Sequence, residues 1–272
     1  MAFKEKYTIA AKYIPKPSRR RSGLAIQKVR FLVAHDTGNP GSTANDNVRY
    51  YIDTCNTIPA NKTASAHIFV DDKQILECVP ALTAPPEKAW HVLYSVQKDN
   101  QLYGVNANDA AIGVEYCFGG SIDADKAYAK FIWVMAKLCD FYHLDPAKDI
   151  TGHFFLDPER KTDPVTGLAM SRRTYEQLLK DIVAEYNECT GAEQPPAALK
   201  VRRSDGELRA AVKLNLRAEP NTRSAIIEVI GAGTALTYVA MTDSGQAVNN
   251  NSTWYQDANG HWFWAGGTMP TG

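Results

Sequence analysis

The chain has 272 residues, 44% of them hydrophobic and 22% charged, with 30 Lys+Arg set against 30 Asp+Glu. That balance excludes a chain drawn as a whole to nucleic acid or to an anionic membrane surface. The length accommodates two domains, and the apolar share is enough for a full core. No apolar run approaches the roughly 18 residues of a membrane span. The opening MAFKEKYTIAAKYIPKPSRRR lacks the uninterrupted apolar stretch of a secretory signal, so synthesis in the cytoplasm without a signal peptide is expected. Five cysteines, Cys55, Cys78, Cys117, Cys139 and Cys189, are widely spaced without a C-x-x-C pair. They read as free, buried small hydrophobes, and a thiolate metal site is not indicated.

Residues 1–28 read as irregular, with Lys16 to Arg21 (KPSRRR) a solvated basic loop or a weak attractor of an anionic polymer. Val29 to Ala34 is an apolar run closed by Gly38, Pro40 and Gly41, which predicts a buried strand with His35 at its C-terminal end. Such an end is a common place for functional groups, although a lone His there is as readily structural. Ser42-Thr43 cap a helix whose apolar face is Val48, Tyr51, Ile52 and Cys55. Ala64 to Val70 and Gln74 to Val79 flank Asp71-Asp72 as a hairpin, with His67 read as a structural hydrogen-bonding residue. Pro80 to Pro86 is a loop leading to Trp90-His91, a groove wall or simple packing. Ala110 to Phe118 is a second buried strand whose anomaly is Glu115, costly to bury without a partner. Asp125 to Tyr142 carries apolar residues at helical spacing, and a second helix is expected from Ser171 to Tyr186. Glu188 to Pro196 reads as a linker. The predicted layout is therefore a domain over 1–188, a linker over 189–197 and a small all-β domain over 198–272. Its strands are expected at Leu214 to Arg217, Ala225 to Ile230, Ala235 to Met241, Trp254 to Asp257 and His261 to Trp264.

Thr151 to Pro164 (TGHFFLDPERKTDP) gathers His153, Lys161 and Asp163 in a run broken by two Asp-Pro pairs, which reads as a shaped loop. His153 and Asp163 with the distant His35 make a two-imidazole, one-carboxylate donor set suited to Zn²⁺ with a fourth position left open. Their net charge of −1 leaves such a site formally +1, able to acidify water and polarise an amide carbonyl. Lys161 can steady an oxyanion, and Glu115 can move a proton from water to a leaving amine. The spacing alone is not a specific zinc signature, and core histidines remain the alternative.

HDTGNPG, IGVEYC, TGH and RKTDP, in this order, resemble the zinc-dependent N-acetylmuramoyl-L-alanine amidases of type 2, a family that includes the peptidoglycan recognition proteins. The resemblance spans about residues 25–187 and implies an α/β fold with a central mixed sheet flanked by helices. It also implies Zn²⁺ on His35, His153 and Asp163, catalysis by Glu115 and Lys161, and Trp90 and His91 lining the substrate cleft. A catalytic Tyr that some members carry before the His of the ASAHIFV strand is Ala66 here, which implies reliance on Glu115. The tail resembles a bacterial SH3-like domain through LNLRAEPNT, IIEVIGAGT and WYQD, although WFWAGG replaces the usual G-W-V. Together the two resemblances imply a wall-lytic enzyme of phage endolysin type, cutting the bond between N-acetylmuramic acid and L-alanine in peptidoglycan after release to the cell wall. A cytosolic muropeptide-recycling amidase and a non-catalytic peptidoglycan binder are the alternatives.

Overall fold

In the computed structural model, which describes residues 2–191, 199–222 and 224–271, the chain divides into two units, Met1–Glu193 and Gln194–Gly272. The first unit runs β1 (Ile9–Ala11), β2 (Phe31–Asp36), α1 (Ala44–Asp53), β3 (Ile68–Val70), β4 (Ile75–Glu77), α2 (Lys98–Tyr103), α3 (Ala107–Ala110) and β5 (Ala111–Tyr116). It continues with α4 (Ala124–Tyr142), β6 (Ile150–Gly152), α5 (His153–Leu156), α6 (Val165–Met170) and α7 (Tyr175–Thr190). The strands form one mixed sheet in the order β1-β4-β3-β5-β2-β6. The β3–β4 pair is antiparallel; the other neighbours run parallel. This is the α/β architecture expected, because continuously apolar strands such as β2 and β5 need cover on both faces.

β2 lies between β5 and β6, one strand in from the sheet edge, and is buried along its whole length. Its register sets the functional geometry: His35 pairs with Glu115 on β5, and Ala34 pairs with Gly152 on β6. His35, Glu115 and His153 therefore emerge together at the C-terminal ends of three adjacent parallel strands, where crevices form in open α/β sheets. Helix boundaries follow their caps. Thr43 and Asp46 make a reciprocal capping box at α1, Asp123 caps α4, and Thr174 caps α7. The helix expected from Ser171 thus begins later, at Tyr175, with α6 a separate turn before it.

Four expectations need correction. Residues 1–28 are not irregular throughout: β1 adds a parallel edge strand, and Phe3, Ile14 and Ile26 enter the core. A three-residue strand held by pairing carries no periodic signal of its own. The basic run is not a solvated loop, since Arg20 and Arg21 are 1% and 6% exposed. Arg20 donates to Thr54 Oγ1 and the Ala64 carbonyl and sits over the Tyr51 ring, while Arg21 grips Glu87 through two bonds of 2.7 and 2.9 Å. The linker reading starts inside α7, which continues to Thr190 because Lys4 and Lys6 pair with Glu188 and the Lys4 amide caps the Cys189 carbonyl. Residues 192–197 of that segment lie outside the described residues. Finally, the Thr151-to-Pro164 loop contains the end of β6 and the short helix α5. All five cysteines are buried and free, as expected. Among the described residues no helix is long and apolar enough to cross a membrane.

The Arg21–Glu87 pair carries a stability prediction. Glu87 is held below its ordinary range chiefly by the Arg21 bonds, with Lys16 adding a third at 3.1 Å. Removing one partner of a buried pair strands the other charge, at about 3 kcal/mol or more. Glu87→Ala is therefore expected to shift the urea midpoint of the first unit strongly downward, while Lys16→Ala, more than half exposed, should move it little.

The second unit is all-β: β7 (Val201–Ala210), β8 (Leu214–Arg217), β9 (Ile226–Ile230), β10 (Ala235–Thr242), β11 (Trp254–Gln256), β12 (Trp262–Trp264) and β13 (Thr268–Pro270). They pair antiparallel in the order β13-β7-β10-β11-β12-β8-β9. Ala210, Leu214, Leu216, Ile230, Leu236 and Phe263 form its core. The five strands expected from sequence are present; β7 and β13 were not expected, because VRRSDGELRA is largely exposed and owes its extension to pairing with β10. Trp254 and Trp262 are buried, whereas Trp264 is half-buried with its indole N–H on the Asn251 carbonyl.

Candidate active site

Three donor atoms converge at the ends of β2 and β6. Asp163 Oδ2 lies 2.9 Å from His35 Nδ1 and 3.0 Å from His153 Nδ1. The ligand atoms of all three residues fall within 4.8 Å of one another. Both histidines are buried, at 2% and 3% exposure, so the cluster is walled from bulk water on the protein side. Burial pushes His35 down to about 4, with His153 nearby adding to the effect, so His35 is a neutral imidazole at pH 7. Burial alone would raise Asp163, but the hydrogen bonds with His153 and His35 hold it well below the usual carboxylate range.

Local structure explains how the distant Asp163 arrives. After β6, α5 turns the chain over, and the amides of Asp157 and Lys161 close onto the carbonyls of His153 and Asp157. The Phe154 amide then donates to the Asp163 carbonyl at 3.0 Å, tying the two ends of the loop together. From the other side Asp36 fixes it, accepting from the Gly167 amide at 2.7 Å and the Gly38 amide at 3.0 Å. Gly167 has to be glycine-sized here, since a Cβ would stand 2.8 Å from Asp36 Cβ and 2.7 Å from the Phe118 ring. Sequence reasoning passed over Asp36. Its signal was present in HDTG, where an Asp two residues before a Gly can bond that amide.

Glu115 rises beside His35 from β5 with its Oε2 out of solvent and without a hydrogen-bond partner. Burial, followed by the charges of Asp163 and Asp36, raises it well above the ordinary 4.5, and Lys161 opposes that rise. Three carboxylates thus crowd one spot, with Lys161 opposing the rise of Glu115 and Asp36. This electrostatic frustration, together with two buried imidazoles and a carboxylate aimed at one point, is the environment a divalent cation relieves. The residues present fit a metal of the zinc type.

The aromatic pair separates. Trp90 is half-buried, its indole N–H on the Arg19 carbonyl and its ring 6.4 Å from that of Tyr94. His91 is 7% exposed, and its Nδ1 lies 3.0 Å from His35 Nε2. Two features draw it inward. Asn108 Oδ1 accepts from the amides of His91 and Val92, and Gly113 leaves room on β5 where a Cβ would stand 2.8 Å from the imidazole. His67 lies behind, accepting from the Gly113 amide at Nδ1 and facing the Glu87 carbonyl through Nε2, as its structural reading expected.

The family model for N-acetylmuramoyl-L-alanine amidases matches residues 26–166, more than half of the chain and every residue of the cluster. The chain belongs to that family. The amidase BlyA of Bacillus subtilis is 34% identical over 171 residues, covering 59% of this chain and 43% of that relative. The chain thus spans less than half of that relative's length. A Staphylococcus aureus hydrolase, AmiA, solved with its ligand, superposes with a TM-score of 0.53 at 22% identity, over 69% of this chain and 87% of that one. A mutant Bacillus subtilis endolysin superposes at 0.50 with 25% identity, over 65% of this chain and 99% of that one. The AmiA likeness establishes the fold of the first unit.

Proposed function

We propose that the chain hydrolyses the amide bond between N-acetylmuramic acid and L-alanine in peptidoglycan, as a zinc-dependent wall-lytic amidase of endolysin type. The observation that carries this reading is the convergence of His35, His153 and Asp163 beside Glu115, whose Oε2 is buried and unpartnered among the described residues, in a chain of the amidase family. His35, His153 and Asp163 would hold Zn²⁺, which when bound supplies a Lewis acid for the scissile carbonyl and a more acidic water. Glu115, raised by burial and by its acidic neighbours, is a stronger base than an exposed carboxylate. It takes a proton from the attacking water and delivers it to the departing L-alanine nitrogen, so one carboxyl serves as base and then as acid. The Lys161 ammonium faces the charge that develops on the carbonyl oxygen. Trp90 borders the substrate's path. The C-terminal unit, which we read as SH3-like, holds the enzyme to the wall.

Mass spectrometry of digested walls tests the reaction. New free L-alanine amino termini without new reducing sugar ends are the expected products; new reducing ends, or none of either, refute the assignment. Turbid wall suspensions should also clear. Turnover confined to small soluble muropeptides would instead mark a recycling enzyme, and muropeptide binding by zinc-loaded protein without cleavage would mark a binder.

A further inference from the structure

We propose that His91 is a positioning residue for the metal site: its Nδ1 accepts from His35 Nε2–H and so fixes the His35 tautomer that leaves Nδ1 free as a ligand. The inference rests on the zinc reading above and assigns a role to a residue that touches neither metal nor substrate.

The imidazole of His35 has two nitrogens in contact, Nδ1 toward Asp163 at 2.9 Å and Nε2 toward His91 at 3.0 Å. A neutral imidazole carries one N–H, and the partner of one nitrogen decides which atom holds it. Asp163 is an acceptor. Without a competing acceptor at Nε2, it would draw the proton to Nδ1 and block the ligand position. An acceptor at His91 Nδ1 pulls the proton the other way. Outer partners of this kind are worth 10–100-fold in metal affinity.

The surroundings hold His91 in the required pose. Its backbone is pinned by Asn108, its ring occupies the space left by Gly113, and the Gly113 amide is itself held by His67 Nδ1 at 3.0 Å. The His91 ring is in edge contact with both neighbours, His35 at 5.2 Å and His67 at 5.6 Å between centroids. A one-atom displacement of the acceptor is therefore resisted by packing on both sides.

Two variants separate positioning from packing. His91→Phe keeps a ring but removes the acceptor; His91→Asn loses bulk but places an acceptor oxygen near the former Nδ1. With folding checked by circular dichroism, zinc affinity is measured by competition with a chelator. His91→Phe is expected to weaken zinc by about 10–100-fold, and His91→Asn to remain within a few-fold of wild type. If packing alone mattered, the smaller Asn would be the worse variant, or the two would lose equally, and either result overturns the proposal. A second measurement needs no variant. In zinc-loaded wild type, long-range ¹⁵N–¹H spectra should show the proton on His35 Nε2 and His91 Nδ1 unprotonated; a proton on His91 Nδ1 refutes the assignment. Failure of the wild type to take up zinc sinks the zinc reading itself, whereas normal zinc binding by His91→Phe sinks only the role of His91.

Discussion

Asp163→Ala is expected to release the metal and abolish amide cleavage while leaving the fold in place. Asp163 Oδ2 is the point on which both imidazole Nδ1 atoms close, and it supplies the only negative charge of the three-donor set. Structural zinc sites are worth about 10–16 kcal/mol over four ligands. An equal share of that is roughly 3 kcal/mol, so zinc affinity should drop by on the order of 10²-fold or more. The fold should survive, because the loop is anchored independently of this side chain by the Asp163 carbonyl and by Asp36. Metal analysis after dialysis, chelator competition and counts of new L-alanine termini check the three parts. A variant that retained zinc and turned over normally would remove Asp163 from the ligand set. Asp36→Ala offers a useful contrast: it deletes no donor, so it should lower activity through a loosened loop while retaining more zinc than Asp163→Ala.

How much of this could be read from the residues differs between the site and its supports. The strand ending in His35, the one carrying Glu115 and the run from Thr151 to Pro164 were legible, because apolar runs and Asp-Pro breaks are local signals. That His35 and Glu115 lie side by side was not, since it depends on the parallel register of β2 and β5. Arg20 and Arg21 were read as solvated because charge is usually exposed; the partners Glu87, Thr54 and Tyr51, 31 to 66 residues away along the chain, make their burial tolerable. Trp90-His91 left a groove wall and simple packing both open, because nothing in the pair announces that Gly113 and Asn108 will draw the His91 ring inward. The same limit hid β7, whose sequence has no apolar alternation and whose conformation is imposed by β10. Local pattern located the chemistry, and long-range packing decided which side chains meet it.

Glu115→Gln is expected to lose most of the activity and yet make the zinc-free protein more resistant to heat. The loss follows from the role proposed for it: an amide cannot accept the proton of the attacking water, and general-base contributions run to about 10²–10⁴-fold. The stabilisation follows from what the carboxylate endures. Its Oε2 is buried without a partner, and Asp163 and Asp36 act against its ionisation. A carboxyl raised on folding binds its proton more tightly in the folded than in the unfolded chain. Ionisation therefore costs stability at pH above the raised folded value, and the cost fades as pH falls toward the unfolded value near 4.5. Gln is uncharged throughout, so its advantage should be larger at neutral pH and shrink toward pH 4.5. About 1 kcal/mol moves the melting temperature of a unit this size by roughly 2–4 °C, which scanning calorimetry at the two pH values resolves. Added zinc should narrow the gap at neutral pH, because a bound cation supplies the counter-charge that Glu115 otherwise lacks. A stability difference independent of pH would mean that the carboxylate is not under electrostatic strain. A strained carboxylate with nearly normal turnover in Glu115→Gln would move the proton transfer to another residue.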